Sequence, residues 1–217
     1  MTRQVFRSYV RLALAVCALT TLSAQADVIT DLFNTGVDAS GTPLGASVAD
    51  PHYTLISQPG TSYTATTVPE GYPIGPWVAN DSNSRWIGPN TYQAQGSVGY
   101  YTYRTTFTLG AMTDLGSVSI TGRWATDDPG TSLRINGVST GEYSPSLSAY
   151  DYFSISSNFV IGVNTLDFVI YNYGGPTGLR VDDMVGTFTT VPAPASLALM
   201  LLGLMALTGS RLQRSRG

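Results

Sequence analysis

Two pairs of adjacent carboxylates stand out in the chain, Asp127-Asp128 and Asp182-Asp183. Carboxylates joined by backbone carbonyls are calcium-binding chemistry, and a carboxylate beside an aromatic ring suits a sugar. Each pair also has a plainer reading. Asp127-Asp128 opens a turn, where Asp bonds its own backbone. Strand alternation around Asp182-Asp183 turns only one of the two outward, and no dense set of oxygen ligands surrounds them in sequence. Flat aromatic faces that stack on sugar C–H bonds are the second resource. Trp77, Trp86 and Trp124 lie near turns rich in Gly, Pro and Asn, and Tyr171-Asn172-Tyr173 runs into Gly174-Gly175. Trp124 shares a period-two face with Val118 and Ile120, which makes it a core residue. Trp86 is either a core ring or a stacking ring. The 171–173 segment is either a ligand contact or an exposed loop. The candidate ligand-binding residues are therefore Trp86, Asp127, Asp128, Tyr171, Asn172 and Tyr173.

Catalytic groupings are missing. There is no Gly-x-Ser-x-Gly nucleophile turn and no His-Glu-x-x-His, and His52 is the only His. A glycosidase needs two carboxylates facing one cleft, and nothing places Glu70 and Glu142, the only Glu residues, together. Twelve Asp keep a secreted glycan hydrolase as the alternative, but the reading is a non-enzyme with no catalytic residues. No cofactor is implied, and calcium is the one ion the Asp pairs could take. One His and one Cys cannot form a His/Cys metal cluster.

Charge narrows the partners. Lys is absent, so all 11 basic residues are Arg. Three lie in the first eleven positions and three in the last seven, which leaves five Arg against 14 acidic residues in the middle. A segment this acidic is no nucleic-acid binder, because phosphate contacts need Lys and Arg. Without Lys there is neither a P-loop nor a Schiff-base site.

The elements that position these residues read as strands. In Tyr101–Leu109, Tyr101, Tyr103, Phe107 and Leu109 share one face, and Thr102, Arg104, Thr106 and Thr108 the other. Val118 and Ile120 alternate with Ser119 and Thr121. Leu133 and Ile135 point in, and Asn136-Gly137 predicts a type I′ hairpin turn. Leu166–Ile170 and Leu179–Phe188 are further strands, with weaker ones at Tyr53–Ile56 and Tyr63–Val68. Turn signals about every ten residues predict an all-β antiparallel sandwich over residues 27–190.

Within it, Trp124 to Gly137 resembles the strand, acidic turn, strand and Asn-Gly hairpin of galactose-binding-like jelly rolls. Gly162-Val163-Asn164-Thr165-Leu166-Asp167-Phe168 resembles their Gly-x-Asn-x-Leu-x-Phe strand. The resemblance covers roughly residues 98–190 and implies a jelly roll of the kind found in carbohydrate-binding modules, with extracellular polysaccharide as the expected partner.

The ends read as addresses. Arg3, Arg7 and Arg11 precede the apolar run Leu12–Leu22, and Ala24-Gln25-Ala26 is a small-x-small cleavage site. Residues 1–26 are thus read as a signal peptide. Val191-Pro192-Ala193-Pro194 precedes the apolar stretch 195–208 and then Arg211, Arg214 and Arg216. A short hydrophobic helix with a basic end holds that end in the cytoplasm. Residues 191–217 resemble the PEP-CTERM sorting tail of Gram-negative bacteria, with Ala193 where the motif has Glu. The resemblance implies an exosortase as partner, brief anchoring in the inner membrane, and release to the cell surface or biofilm matrix. The alternative is a permanent membrane anchor.

Overall fold

Alternating residue types become alternating faces in the computed structural model, which describes residues 26–191 apart from 60–63, 90–93 and 145. The strands in chain order are β1 (Ala26–Val28), β2 (Thr54–Ser57), β3 (Thr66–Thr67), β4 (Ile87–Gly88), β5 (Gln95–Gly96), β6 (Gly99–Leu109) and β7 (Thr113–Asp127). They continue with β8 (Gly130–Ile135), β9 (Val138–Ser139), β10 (Asp151–Ile155), β11 (Gly162–Asn172), β12 (Gly175–Pro176) and β13 (Gly178–Thr190). One sheet runs β10-β7-β13-β4-β3, with β1 added on β13. The second runs β2-β6-β11-β8-β9, and β12 pairs with β5 in a small ribbon. The pairings are antiparallel, so the expected all-β antiparallel sandwich is what forms.

The two sheets close on one interior. β6 contributes Tyr101, Tyr103, Phe107 and Leu109, and β11 contributes Leu166, Phe168 and Ile170. From the facing sheet come Ile120 and Trp124 of β7, Phe153 of β10, and Leu179 and Val181 of β13. Trp124 and Phe153 both meet Phe168 edge-on, at 5.5 and 6.1 Å between ring centres. Each such side chain contributes roughly 1.5–3 kcal/mol on burial. The unit from Ala26 to Thr189 therefore carries its own core, with its first and last strands paired.

Local sequence explains the corners. Asn136 (φ 50°) and Gly137 (φ 81°) make the hairpin between β8 and β9, a conformation both tolerate. The Asn136 side chain also accepts from the Thr165 amide at 2.9 Å and donates to Asn164 Oδ1 at 2.8 Å. Asn164, fully buried, accepts from the Val160 amide and donates to the Val160 and Gly162 carbonyls. The Gly-x-Asn pattern at the head of β11 is thus a hydrogen-bonded lock on the turn.

β13 departs from simple alternation. Asp183 sits at φ 51°, so the strand bulges and Met184 takes the next inward place. Asp182 is buried and Asp183 exposed.

Loop residues cover the start of β13 on its outer side. Arg180 is wholly buried there. Its guanidinium pairs with Asp81 at 2.8 Å, donates to Ser84 Oγ at 2.9 Å and to the Ala79 carbonyl, and lies over the Tyr150 ring. Burial would raise the Asp81 carboxyl, but the amides of Asn83 and Ser84 and the Arg180 charge hold it below the ordinary carboxylate range. Beside this cluster Trp77, Trp86, Val68 and Ala125 form a second apolar core.

The two terminal segments, with Ala24, Pro192, Pro194, Arg211, Arg214 and Arg216, lie outside the described residues. Among the described residues no helix is long and apolar enough to cross a membrane.

Candidate functional site

The register of β6 against β11 sets Tyr100 directly opposite Tyr171 on the outer face of the five-stranded sheet. Their rings meet edge-to-face at 4.8 Å, and Tyr173 meets Tyr171 in the same way at 4.9 Å. Tyr100 is 56% exposed and Tyr173 69% exposed, with Tyr171 half-buried between them. Three tyrosines thus make a continuous row open to solvent. Edge-to-face pairs of this kind stabilise by about 0.5–1.5 kcal/mol each, which holds the rings in place without a ligand.

Two polar side chains position the row. Asp128 Oδ2 accepts from the Tyr173 amide at 2.7 Å, tying the 173–175 loop to the turn between β7 and β8. Asn172 points inward and donates to the carbonyls of Gly96 and Ser97, and its Oδ1 accepts from the Gly174 amide. Gly174 (φ 118°) and Gly175 (φ 86°) allow the tight return into β12. Further along the same face, Arg104 and Asp167 form a two-pronged ion pair at 2.6 and 2.8 Å. Arg134 stands in register beyond Asp167.

The structure separates the candidates that the sequence grouped. Asp128, Tyr171, Asn172 and Tyr173 come together, with Tyr171 and Tyr173 presented and the other two holding them. Asp127, a candidate ligand-binding residue from the sequence, is not open to a ligand. It is buried, and its Oδ2 accepts from Trp77 Nε1 at 2.6 Å. Burial and the neighbouring Asp128 charge raise its carboxyl, against the pull of the Trp77 hydrogen bond, to about 6. Trp86 is wholly buried, 4.4 Å from Trp77, and donates to the Val78 carbonyl, so its ring presents no face to a ligand. Trp124 lies in the core, as alternation implied. Among the described residues no group of three or more His, Cys, Asp or Glu is placed to hold a metal ion.

Tyr100 was the residue sequence reasoning did not select. The signal was present: it belongs to the Thr102-Arg104 parity of its strand, so it had to face outward.

The fold and site together define an antiparallel sandwich domain with an exposed aromatic row at one end of a polar sheet face. No protein-family model matches the chain, and no curated protein sequence matches it. Among solved structures it is similar to a CBM35 from Paenibacillus barcinonensis (16% identity, 77% of this chain and 99% of that chain, TM-score 0.33). It is also similar to a family 35 carbohydrate binding module from Clostridium thermocellum (17% identity, 64% and 92%, TM-score 0.33). A third is a family 29 carbohydrate binding module (13% identity, 76% and 93%, TM-score 0.36).

Proposed function

We propose that this is an exported, non-catalytic protein whose sandwich domain binds extracellular polysaccharide at the Tyr100–Tyr171–Tyr173 row. The row carries the reading: three edge-to-face rings, two exposed and one half-buried between them, are locked by their own contacts and bordered by hydroxyl and charged groups on the outer sheet face. Sugar rings stack their C–H faces on such π surfaces, while Tyr hydroxyls supply hydrogen bonds. In this reading the signal peptide directs export, and the tail holds the domain until an exosortase-type enzyme releases it to the surface or matrix.

Affinity electrophoresis of residues 27–190 tests the binding, in gels cast with xylan, galactomannan, dextran or the host's own exopolysaccharide. The domain should be retarded in at least one gel, release no reducing sugar, and lose roughly tenfold in affinity when Tyr171 and Tyr173 become Ala. Migration unchanged in every gel would end the binding reading. Intact mass of the surface-released protein tests the sorting: it should begin at Asp27 and lack the apolar stretch 195–208.

A further inference from the structure

We infer that the domain has a second polysaccharide contact, built on Tyr152, Arg123 and Asp183 on the outer face of the opposite sheet, so that one domain bridges two glycan chains. This rests on the glycan reading above and extends it from binding to cross-linking.

The site is assembled across three neighbouring strands. Tyr152 of β10 lies directly opposite Arg123 of β7, and at 74% it is the most exposed large apolar or aromatic residue among the described residues. Arg123 is fixed from three sides. Its guanidinium lies 4.3 Å from the centre of the Tyr150 ring, 2.7 Å from Asp182 Oδ2 and 3.1 Å from Asp183 Oδ2. Burial works against its charge, but the two carboxylates more than offset this and push its pKa up. Asp182 is wholly buried, and its oxygens are taken by Arg123, Tyr150 and Asn34. Asp183 is different, with its side chain 56% exposed beside Arg123, which is itself only 24% exposed.

Structure alone accounts for Arg123, Tyr150 and Asp182, because a buried carboxylate needs its cation. Asp183 and Tyr152 also touch Arg123, yet both leave more than half of their surface in solvent. The bulge gives Asp183 a φ of 51°, a place Gly fills at lower cost, and it turns the carboxylate outward. A carboxylate that is acceptor-only, a fixed cation and an open aromatic ring are a donor–acceptor set for the adjacent hydroxyls of a hexose. Around them the face continues as Ser154 opposite Thr121, both exposed, with Val185 half-exposed. The tyrosine row lies on the outer face of the other sheet. The two surfaces therefore point away from each other across a sandwich whose sheets stack about 10 Å apart, and one chain does not lie on both.

The test uses residues 27–190 with Tyr152→Ala and Asp183→Asn combined, set against Tyr171→Ala and Tyr173→Ala combined. Asn tolerates a positive φ, and all four side chains lie on the outer faces, so both variants should fold, with a cooperative melt of each as the check. In the gel polysaccharide that retards the unaltered domain, each variant should still be retarded, at roughly two- to tenfold weaker affinity, and all four changes together should abolish retardation. The unaltered domain should raise the viscosity of that polysaccharide in solution, and neither two-residue variant should. Full retardation and full thickening by the Tyr152/Asp183 variant would overturn the second contact and leave the first intact. No retardation of the unaltered domain would overturn both.

Discussion

Arg180 offers a test of what holds the loop over β13. It has no exposed surface, while its partner Asp81 is 41% exposed in its side chain. The two are therefore not equivalent. Asp81→Asn keeps the side-chain oxygen that caps the amides of Asn83 and Ser84 but removes the negative charge. The Arg180 guanidinium is then buried with only Ser84, the Ala79 carbonyl and the Tyr150 ring for company. Removing one member of a buried pair costs about 3–5 kcal/mol, and the partial exposure of Asp81 argues for the lower end, about 3. Arg180→Met removes the buried charge itself. Asp81 keeps its capping bonds and its water, the methionine fills the space, and the loss is about 1 kcal/mol, from the Ala79 carbonyl and Ser84 hydroxyl that lose their Arg180 donor. For a domain of this size each kcal/mol moves Tm by about 2–4 °C. Thermal melts at pH 7 should then drop by roughly 6–12 °C for Asp81→Asn and roughly 2–4 °C for Arg180→Met. If Arg180→Met falls as far as Asp81→Asn, the uncompensated charge is not the controlling term and the reasoning is wrong.

Three further outcomes follow from the geometry. Asp127 has a folded pKa of about 6 against an ordinary 3.8, so the folded state binds more protons between those values and stability falls as pH rises through them. Melts at pH 4.5 and 7 should show this slope in the unaltered domain and a flatter one in Asp127→Asn. Gly130→Ala would place a methyl 2.7 Å from two carbons of the Trp124 ring and 3.2 Å from Thr126 Cγ2, costing about 1–3 kcal/mol in a urea titration. Asp128→Ala should weaken glycan retardation by freeing the Tyr173 loop, while the far-sheet contact at Tyr152 keeps its share; equal loss at both would contradict the assigned positions.

Period-two strands made much of this legible in advance. The inward set of β6 and the outward set Thr102, Arg104, Thr106 and Thr108 follow from alternation alone, and so do the core places of Trp124 and Ile135. Asn136-Gly137 announces its turn because few residue pairs accept two positive φ values. What alternation cannot give is which strands become neighbours. The meeting of Tyr100 with Tyr171 depends on an eleven-residue pairing between segments far apart in sequence. β3, β4 and β5 are two residues each, too short for any period to show. Trp86 sits in a turn-rich stretch that leaves core and stacking roles both open, and the loop folds it under against Trp77. The bulge at Asp183 is one residue of conformation, and it decides which carboxylate is buried and which is exposed.

β1 and β13 bring the first and last described strands of the domain side by side, Ala26 opposite Thr189 and Val28 opposite Thr187. β13 is also flanked by β7 and β4. A pull applied along β13 from its carboxyl end therefore meets rows of hydrogen bonds lying across the direction of force. Those bonds load together and must slide in shear, whereas a strand pulled from its side would open them one at a time. In the glycan-binding reading, a tether at this end would pass tension through the strand of the six-stranded sheet that pairs with three others, β1, β4 and β7.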